Sequence, residues 1–254
     1  MLTPALYTAY EGRVRADLAE ADIPRHVGVI IDGNRRWARQ MGFEPMHGHR
    51  AGGEKLDDLI RWSEELGVEV VTIWLLSTDN LRSRAPEELT PLLDVIVDVA
   101  RSLSAPGRDW GVHVMGALDL LPDDIAAALR RAQDQTLHKS GITVNIAVGY
   151  GGRHEIVDAV RSVLREADDR SESLGEVAER ISLEDIANHL YTKGQPDPDL
   201  IIRTSGEQRL SGFLLWQTAN SEFYFSDVYW PDFRRVDFLR AIREYAQRNR
   251  RFGA

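Results

Sequence analysis

Asp32-Gly33-Asn34-Arg35-Arg36-Trp37 sets an acid, a glycine and two arginines directly after the β-branched run Val27 to Ile31. That run is too short for a helix and reads as a fully buried strand. Arg36 to Gln40 are good helix formers, with Gly42 as a stop. Asp32 therefore stands at the carboxyl end of a buried strand, just ahead of a helix, where open α/β sheets bind their ligands. Free N–H groups and the positive dipole end of that helix favour an anion, usually phosphate. Gly33 lets the anion approach the backbone, and Arg35 and Arg36 add charge. Asp32 alone could be a helix cap worth about 1 kcal/mol. Arginines in a first helical turn oppose the helix dipole, however, and a bound anion would reward them.

Three further strand ends carry comparable groups: Ser77-Thr78-Asp79-Asn80 followed by Arg82 and Arg84; Gly151-Gly152-Arg153; and Arg203 with Arg209 and Ser211. Guanidinium groups bind phosphate oxygens in bidentate fashion, so these ends suit one or two phosphate clusters. With hard oxygen ligands from Asp32 and Glu222, Mg2+ is the natural metal. Zinc lacks thiolates and a well-spaced histidine set. No GxxxxGK[ST] or GxGxxG occurs, so nucleotide-binding templates do not fit. The segment Phe43 to Arg50 shows no period and reads as a loop. His47 and His49 in it would not face each other on a helix, so a phosphate-contacting or lid role fits better than a metal pair. The pattern by itself reaches magnesium-dependent chemistry on a phosphate or diphosphate.

The elements that must position these groups alternate along the chain. A helical stripe over residues 4–21 stops at Asp22-Ile23-Pro24. Strands are expected over Val68–Leu76, Val112–Ala117, Thr143–Val148, Leu200–Ile202 and Glu222–Phe225. Between them lie helical stripes over Leu56–Leu66, Leu89–Leu103, Pro122–Leu137, Ile156–Leu164, Ile186–Leu190 and Val236–Arg248. Pro86-Glu87-Glu88 reads as a helix start. The Leu89–Leu103 helix is apolar on more than one face, so it is buried, paired across a subunit interface or lining an apolar cavity. Asp168 to Glu179 reads as charged loop. Alternating strands and helices imply an α/β fold, a mostly parallel sheet with helices on both faces. With no repeat and no Gly/Ser linker, residues 1–254 read as one domain, with 1–25 as helix and lead-in and 249–254 as a C-terminal tail.

Composition narrows the classes. The formal charge of -9 argues against general nucleic-acid or membrane-surface binding, so any polyanion site is a local basic cluster. Cysteine is absent, which excludes disulfides. No apolar stretch approaches the roughly 18 residues of a membrane span, and no basic segment followed by an apolar run opens the chain. A cytoplasmic protein without a membrane span is the expectation.

Asp32 to Ala38, Gly48-His49-Arg50-Ala51-Gly52, Ser77 to Asn80, Asn145 with Tyr150 to Arg153, and Asp199 to Trp216 together resemble the cis-prenyltransferases, the Z-type isoprenyl diphosphate synthases. The likeness runs from about His26 to Gly253 and is strongest to the short-chain members that make (2Z,6E)-farnesyl diphosphate. It implies a homodimer, a six-stranded sheet, and an apolar tunnel between sheet and helices. It also implies Mg2+-dependent condensation of isopentenyl diphosphate with an allylic diphosphate, geranyl diphosphate in the short-chain case, and peripheral membrane association for product release. By resemblance Asp32 is the essential acid and metal ligand, joined by Glu222. Gly33, Asn34, Arg35, Arg36 and His49 hold the allylic diphosphate, with Trp37, Thr78, Asp79, Leu81 and Arg84 beside them. Arg203, Arg209, Leu210 and Ser211 hold isopentenyl diphosphate, and Asn80 with Ser77 takes part in proton removal. The tail Arg251-Phe252-Gly253 crosses to the partner's isopentenyl site.

The chain departs from the family pattern at Pro45, where long-chain members carry arginine, and at Leu81, a common tryptophan. The segment Asn80 to Arg84 is one residue longer than usual, which leaves Arg82 and Arg84 as alternatives for one role. Leu75 stands where long-chain members have a small residue, and alternation along the strand aims one of Leu75 and Leu76 at the tunnel. A leucine wall there implies a product of about fifteen carbons, since overpacking an interior costs about 1–3 kcal/mol. Alternatives are a longer-chain synthase, a non-catalytic partner subunit of the same fold and an unrelated phosphatase.

Overall fold

Six strands assemble into one sheet: β1 (His26–Ile30), β2 (Val70–Ser77), β3 (Gly111–Met115), β4 (Thr143–Tyr150), β5 (Leu200–Arg203) and β6 (Glu222–Phe225). Their order is β3-β4-β2-β1-β5-β6, and every neighbouring pair is parallel. The computed structural model describes residues 11–14, 18 and 22–248. Most of the expected helix over 4–21, and the tail at 249–254, lie outside the described residues. Val14 and Leu18 belong to the core. β1 and β5 are buried along their whole length, which is why they read as unbroken apolar runs rather than alternating ones.

Helices that follow β1 cover the sheet: α1 (Asn34–Gln40), α2 (Pro45–Glu65), α3 (Thr78–Ser83), α4 (Pro86–Leu103), α5 (Asp123–Asp134), α6 (Gly152–Asp169), α7 (Leu174–Arg180), α8 (Leu183–Ala187) and α9 (Arg235–Gln247). Pro86 sits in the first turn of α4, with Glu87 and Glu88 completing that turn. Of the fates open to this doubly apolar helix, two are met. Leu93, Val97, Ala100 and Leu103 are buried in the core, while Leu92, Val95, Ile96 and Val99 face a cavity.

Three local expectations are corrected. Residues 45–50 are not a loop but the first turns of the 21-residue α2, with Pro45 at its start. The period was hidden because α2 packs on α1 through glycines rather than apolar side chains. A Cβ on Gly48 would lie 2.0 Å from the Asn34 carbonyl oxygen, and one on Gly52 would lie 2.4 Å from Asn34 Oδ1. The charged stretch after residue 168 continues α6 to Asp169 and contains α7, started by a capping box between Ser173 and Glu176. Leu75 and Leu76 do not alternate. The β2–β4 register jumps from Trp74↔Ala147 to Leu76↔Val148, and this bulge sets both leucines against the same core cluster and on the same cavity.

Candidate active site

The carboxyl ends of β4, β2, β1 and β5 are adjacent in the sheet, so the four groups picked out along the chain meet over one cavity of about 1050 Å³. Asp32 is fixed from several sides. Its N–H donates to Thr204 Oγ1 (2.9 Å), its carbonyl accepts from Thr204 Oγ1 (2.7 Å) and from the Trp230 N–H (3.1 Å). The α1 N-cap is Gly33, not Asp32, so the cap reading of Asp32 fails. Gly33 has φ +103°, and a Cβ there would also strike the Tyr229 ring at 2.7 Å. Glycine is therefore required on both counts.

The Asp32 carboxylate lies between two arginines. Oδ2 accepts from Arg203 Nη2 at 3.0 Å, and Oδ1 from Arg36 Nη2 at 3.3 Å and the Gly33 N–H at 2.7 Å. Burial pushes its pKa up, but the hydrogen bond and charge of Arg203, then Arg36 and the Gly33 N–H, outweigh this and hold it below the usual carboxylate range. Arg203 is only 5% exposed. It also donates to Ser211 Oγ at 2.7 Å and to the Arg209 carbonyl. Arg36 reaches Ser205 Oγ at 2.7 Å and lies over the Tyr229 ring. Arg209 is exposed and pairs with Glu207.

A second basic group faces the same cavity from the helix side. Arg84 is 11% exposed, whereas Arg82 is exposed and does not line the cavity, so geometry picks Arg84 of the two. His49 Nε2 and Arg84 Nε are buried without a partner among the described residues. Burial, then the charges of Arg84 and Arg35, lower the His49 pKa to about 4, so its imidazole is neutral at pH 7.

Gly33, Asn34, Arg35, Arg36, Ser77, Thr78, Asp79, Asn80, Arg203, Arg209 and Ser211 all line the cavity with Asp32. The Ser77 side chain accepts from the Asn80 N–H (3.0 Å) as the N-cap of α3, and Thr78 donates to the Gly149 carbonyl (3.0 Å). β2 and α4 supply Leu75, Leu76, Leu92, Val95, Ile96 and Val99 to the apolar part of the wall.

Four expected residues do not line it. Trp37 packs against Phe43, Leu81 is in the core, and Leu210 packs beside Phe213. Glu222 opens β6 level with Leu200, three register positions from Arg203↔Phe225 and so roughly 10 Å along the strand. Its carboxylate accepts from Arg248. Within one chain Glu222 and Asp32 therefore stand apart, and a metal site shared by the two would need Glu222 from a second copy of the chain. Among the described residues no group of three or more carboxylates or histidines could hold a metal, so Mg2+ here would rest on the Asp32 carboxylate together with waters and substrate phosphate oxygens, a set that this ion commonly takes.

Sequence reasoning missed Glu88, Glu207 and Glu155. Glu155 is fully buried; it accepts from the Tyr150 hydroxyl at 2.5 Å, and that hydroxyl accepts from the Leu214 N–H at 3.1 Å. It thereby braces the loop carrying Ser211, where Ser211 and Leu214 adopt φ +53° and +45°. A carboxylate at this place in a helical stripe gives no signal in sequence.

The family model for undecaprenyl diphosphate synthase matches residues 30–253. The chain is 59% identical to a (2Z,6E)-farnesyl diphosphate synthase of Thermobifida fusca, over 100% of this chain and 99% of that one. It is 54% identical to isoprenyl transferase 1 of Streptomyces avermitilis, over 96% of this chain and 94% of the relative. Among solved structures, lavandulyl diphosphate synthase of Lavandula x intermedia, in complex with dimethylallyl diphosphate, superposes with a TM-score of 0.84 at 34% identity, covering 91% of this chain and 99% of that one.

Proposed function

This chain belongs to the undecaprenyl diphosphate synthase family and is a prenyltransferase of the cis type, and from that premise we propose that it condenses isopentenyl diphosphate with geranyl diphosphate to give (2Z,6E)-farnesyl diphosphate. The observation that carries the proposal is one cavity lined by two basic groups, Arg36, Arg203 and Arg209 with Asp32 and Arg35, Arg84 and His49 on the helix side, together with apolar residues of α4 and β2. Arg35, Arg84, His49 and the α1 N-terminus would bind the allylic diphosphate, as guanidinium groups and helix starts do. Arg203, Arg209 and Ser211 would hold the isopentenyl diphosphate. Asp32, flanked by Arg36 and Arg203, would hold Mg2+, which stabilises negative charge on phosphate oxygens. As the allylic C–O bond breaks, these pre-placed cations stabilise the charge that develops on the leaving oxygen. Asn80 and Ser77, which line the same cavity, would take part in removing a proton.

The apolar residues would take the hydrocarbon, at about 0.8 kcal/mol per buried CH2. Leu75 and Leu76, brought to the same face by the bulge in β2, would limit its length. The family's homodimer is adopted with the function. Among the described residues no helix is long and apolar enough to cross a membrane. The test is incubation with geranyl and labelled isopentenyl diphosphates, with products sized by mass. A fifteen-carbon product is expected, lost in excess chelator and restored by Mg2+. Release of inorganic phosphate without condensation would instead favour a phosphatase.

A further inference from the structure

Glu88 lies in the first turn of α4, behind the wall formed by Arg35, Arg84 and His49. Its Oε1 accepts from Arg35 Nη1 at 3.1 Å and also from Arg84 Nη1. One carboxylate oxygen is thus shared by two guanidinium groups that both reach the cavity. Next to them, Arg84 Nε and His49 Nε2 are buried without a partner among the described residues. The wall therefore offers an incoming anion some donors that are free and others that are already engaged. Like charges drive Arg35 and Arg84 apart unless an anion sits between them, and Glu88 is that anion when nothing else is bound.

We propose that Glu88 is a resident counter-anion of this wall: it holds Arg35 and Arg84 together in the empty cavity and competes with a bound diphosphate for them. The competition is a binding property and needs no chemistry. Its consequence for turnover rests on the proposed function. There the allylic C–O bond breaks with its electron pair on oxygen, leaving inorganic pyrophosphate on this wall. A carboxylate poised to take back both guanidinium groups shortens the stay of that pyrophosphate.

The test is calorimetric titration of inorganic pyrophosphate, without metal and at low salt, into wild type, Glu88→Gln and Glu87→Gln. Glu87 is exposed on the same turn and does not line the cavity, so its variant controls for charge change alone. Glu88→Gln should bind pyrophosphate roughly three- to tenfold tighter, the scale of one partly exposed charge at contact, and Glu87→Gln should match wild type. Unchanged or weaker binding in Glu88→Gln overturns the proposal and leaves Glu88 as a brace. If the variant is too unstable to titrate, thermal unfolding with and without pyrophosphate decides by mass action. A larger upward shift in Glu88→Gln than in wild type supports competition, and an equal or smaller one refutes it. Tighter pyrophosphate binding in a protein that performs no condensation would remove the proposed function and leave the competition standing.

Discussion

Asp32→Ala separates the two things this carboxylate does. It is the counter-charge of Arg203, whose side chain is 5% exposed while that of Asp32 is 32% exposed. Removing one partner of a fully buried ion pair costs about 3–5 kcal/mol, because the survivor is left charged and unpaired. Water reaches Asp32, and Arg203 keeps Ser211 Oγ and the Arg209 carbonyl, so the loss is discounted to about 2 kcal/mol. In a chain of this size that is a fall in Tm of roughly 4–8 °C. A helix cap would have cost about half as much. Turnover should fall by about 10²–10³ or more, as when a preorganised charge is removed from a transition state. Asp32→Asn keeps an oxygen acceptor towards Arg203 and nearly the same volume but no counter-charge, so it should regain about half of the lost stability, the share of a hydrogen bond, and none of the activity. Scanning calorimetry with single-turnover kinetics on both variants reads the two effects apart. An alanine variant melting within about 1 °C of wild type would show that Asp32 does not neutralise Arg203. An asparagine variant retaining more than about a tenth of wild-type turnover would remove the need for a charge there.

Leu75→Ala removes three heavy atoms of cavity wall and should lengthen the product beyond fifteen carbons by mass analysis; an unchanged distribution would take Leu75 out of the argument. Gly48→Ala forces a Cβ to within 2.0 Å of the Asn34 carbonyl, so α2 must leave α1, at a cost of about 3 kcal/mol or more, with loss of allylic substrate binding through displaced His49. Burial lowers the pKa of His26 from 6.5 to about 4. Between those values the unfolded chain takes up the proton and the folded one does not. Stability should therefore be complete above pH 6.5 and fall by about 3 kcal/mol as pH drops towards 4. Urea titration across that range checks this, and His26→Gln should flatten its part of the slope.

Much of the site was legible in sequence because its elements are local. Asp32 stands at a strand end before glycine and arginines, and Ser77, Arg153 and Arg203 likewise follow apolar runs, so a parallel sheet must bring their ends to one edge. The order β4-β2-β1-β5 then makes those ends neighbours. What the chain could not reveal depended on contacts distant in sequence. α2 was invisible at its start because its fit to α1 is made by the missing side chains of Gly48 and Gly52. The bulge at Leu75 comes from pairing with β4, so strict alternation wrongly turned one of the two leucines away from the cavity that both meet. Glu222 matched a motif, but register put it at the wrong end of its strand to meet Asp32 within one chain. Asp32 itself read equally as a cap or a ligand. Only the approach of Arg203, 171 residues away, made it the counter-charge of a buried arginine, since a carboxylate's role is set by the charges that tertiary folding brings within a few ångströms.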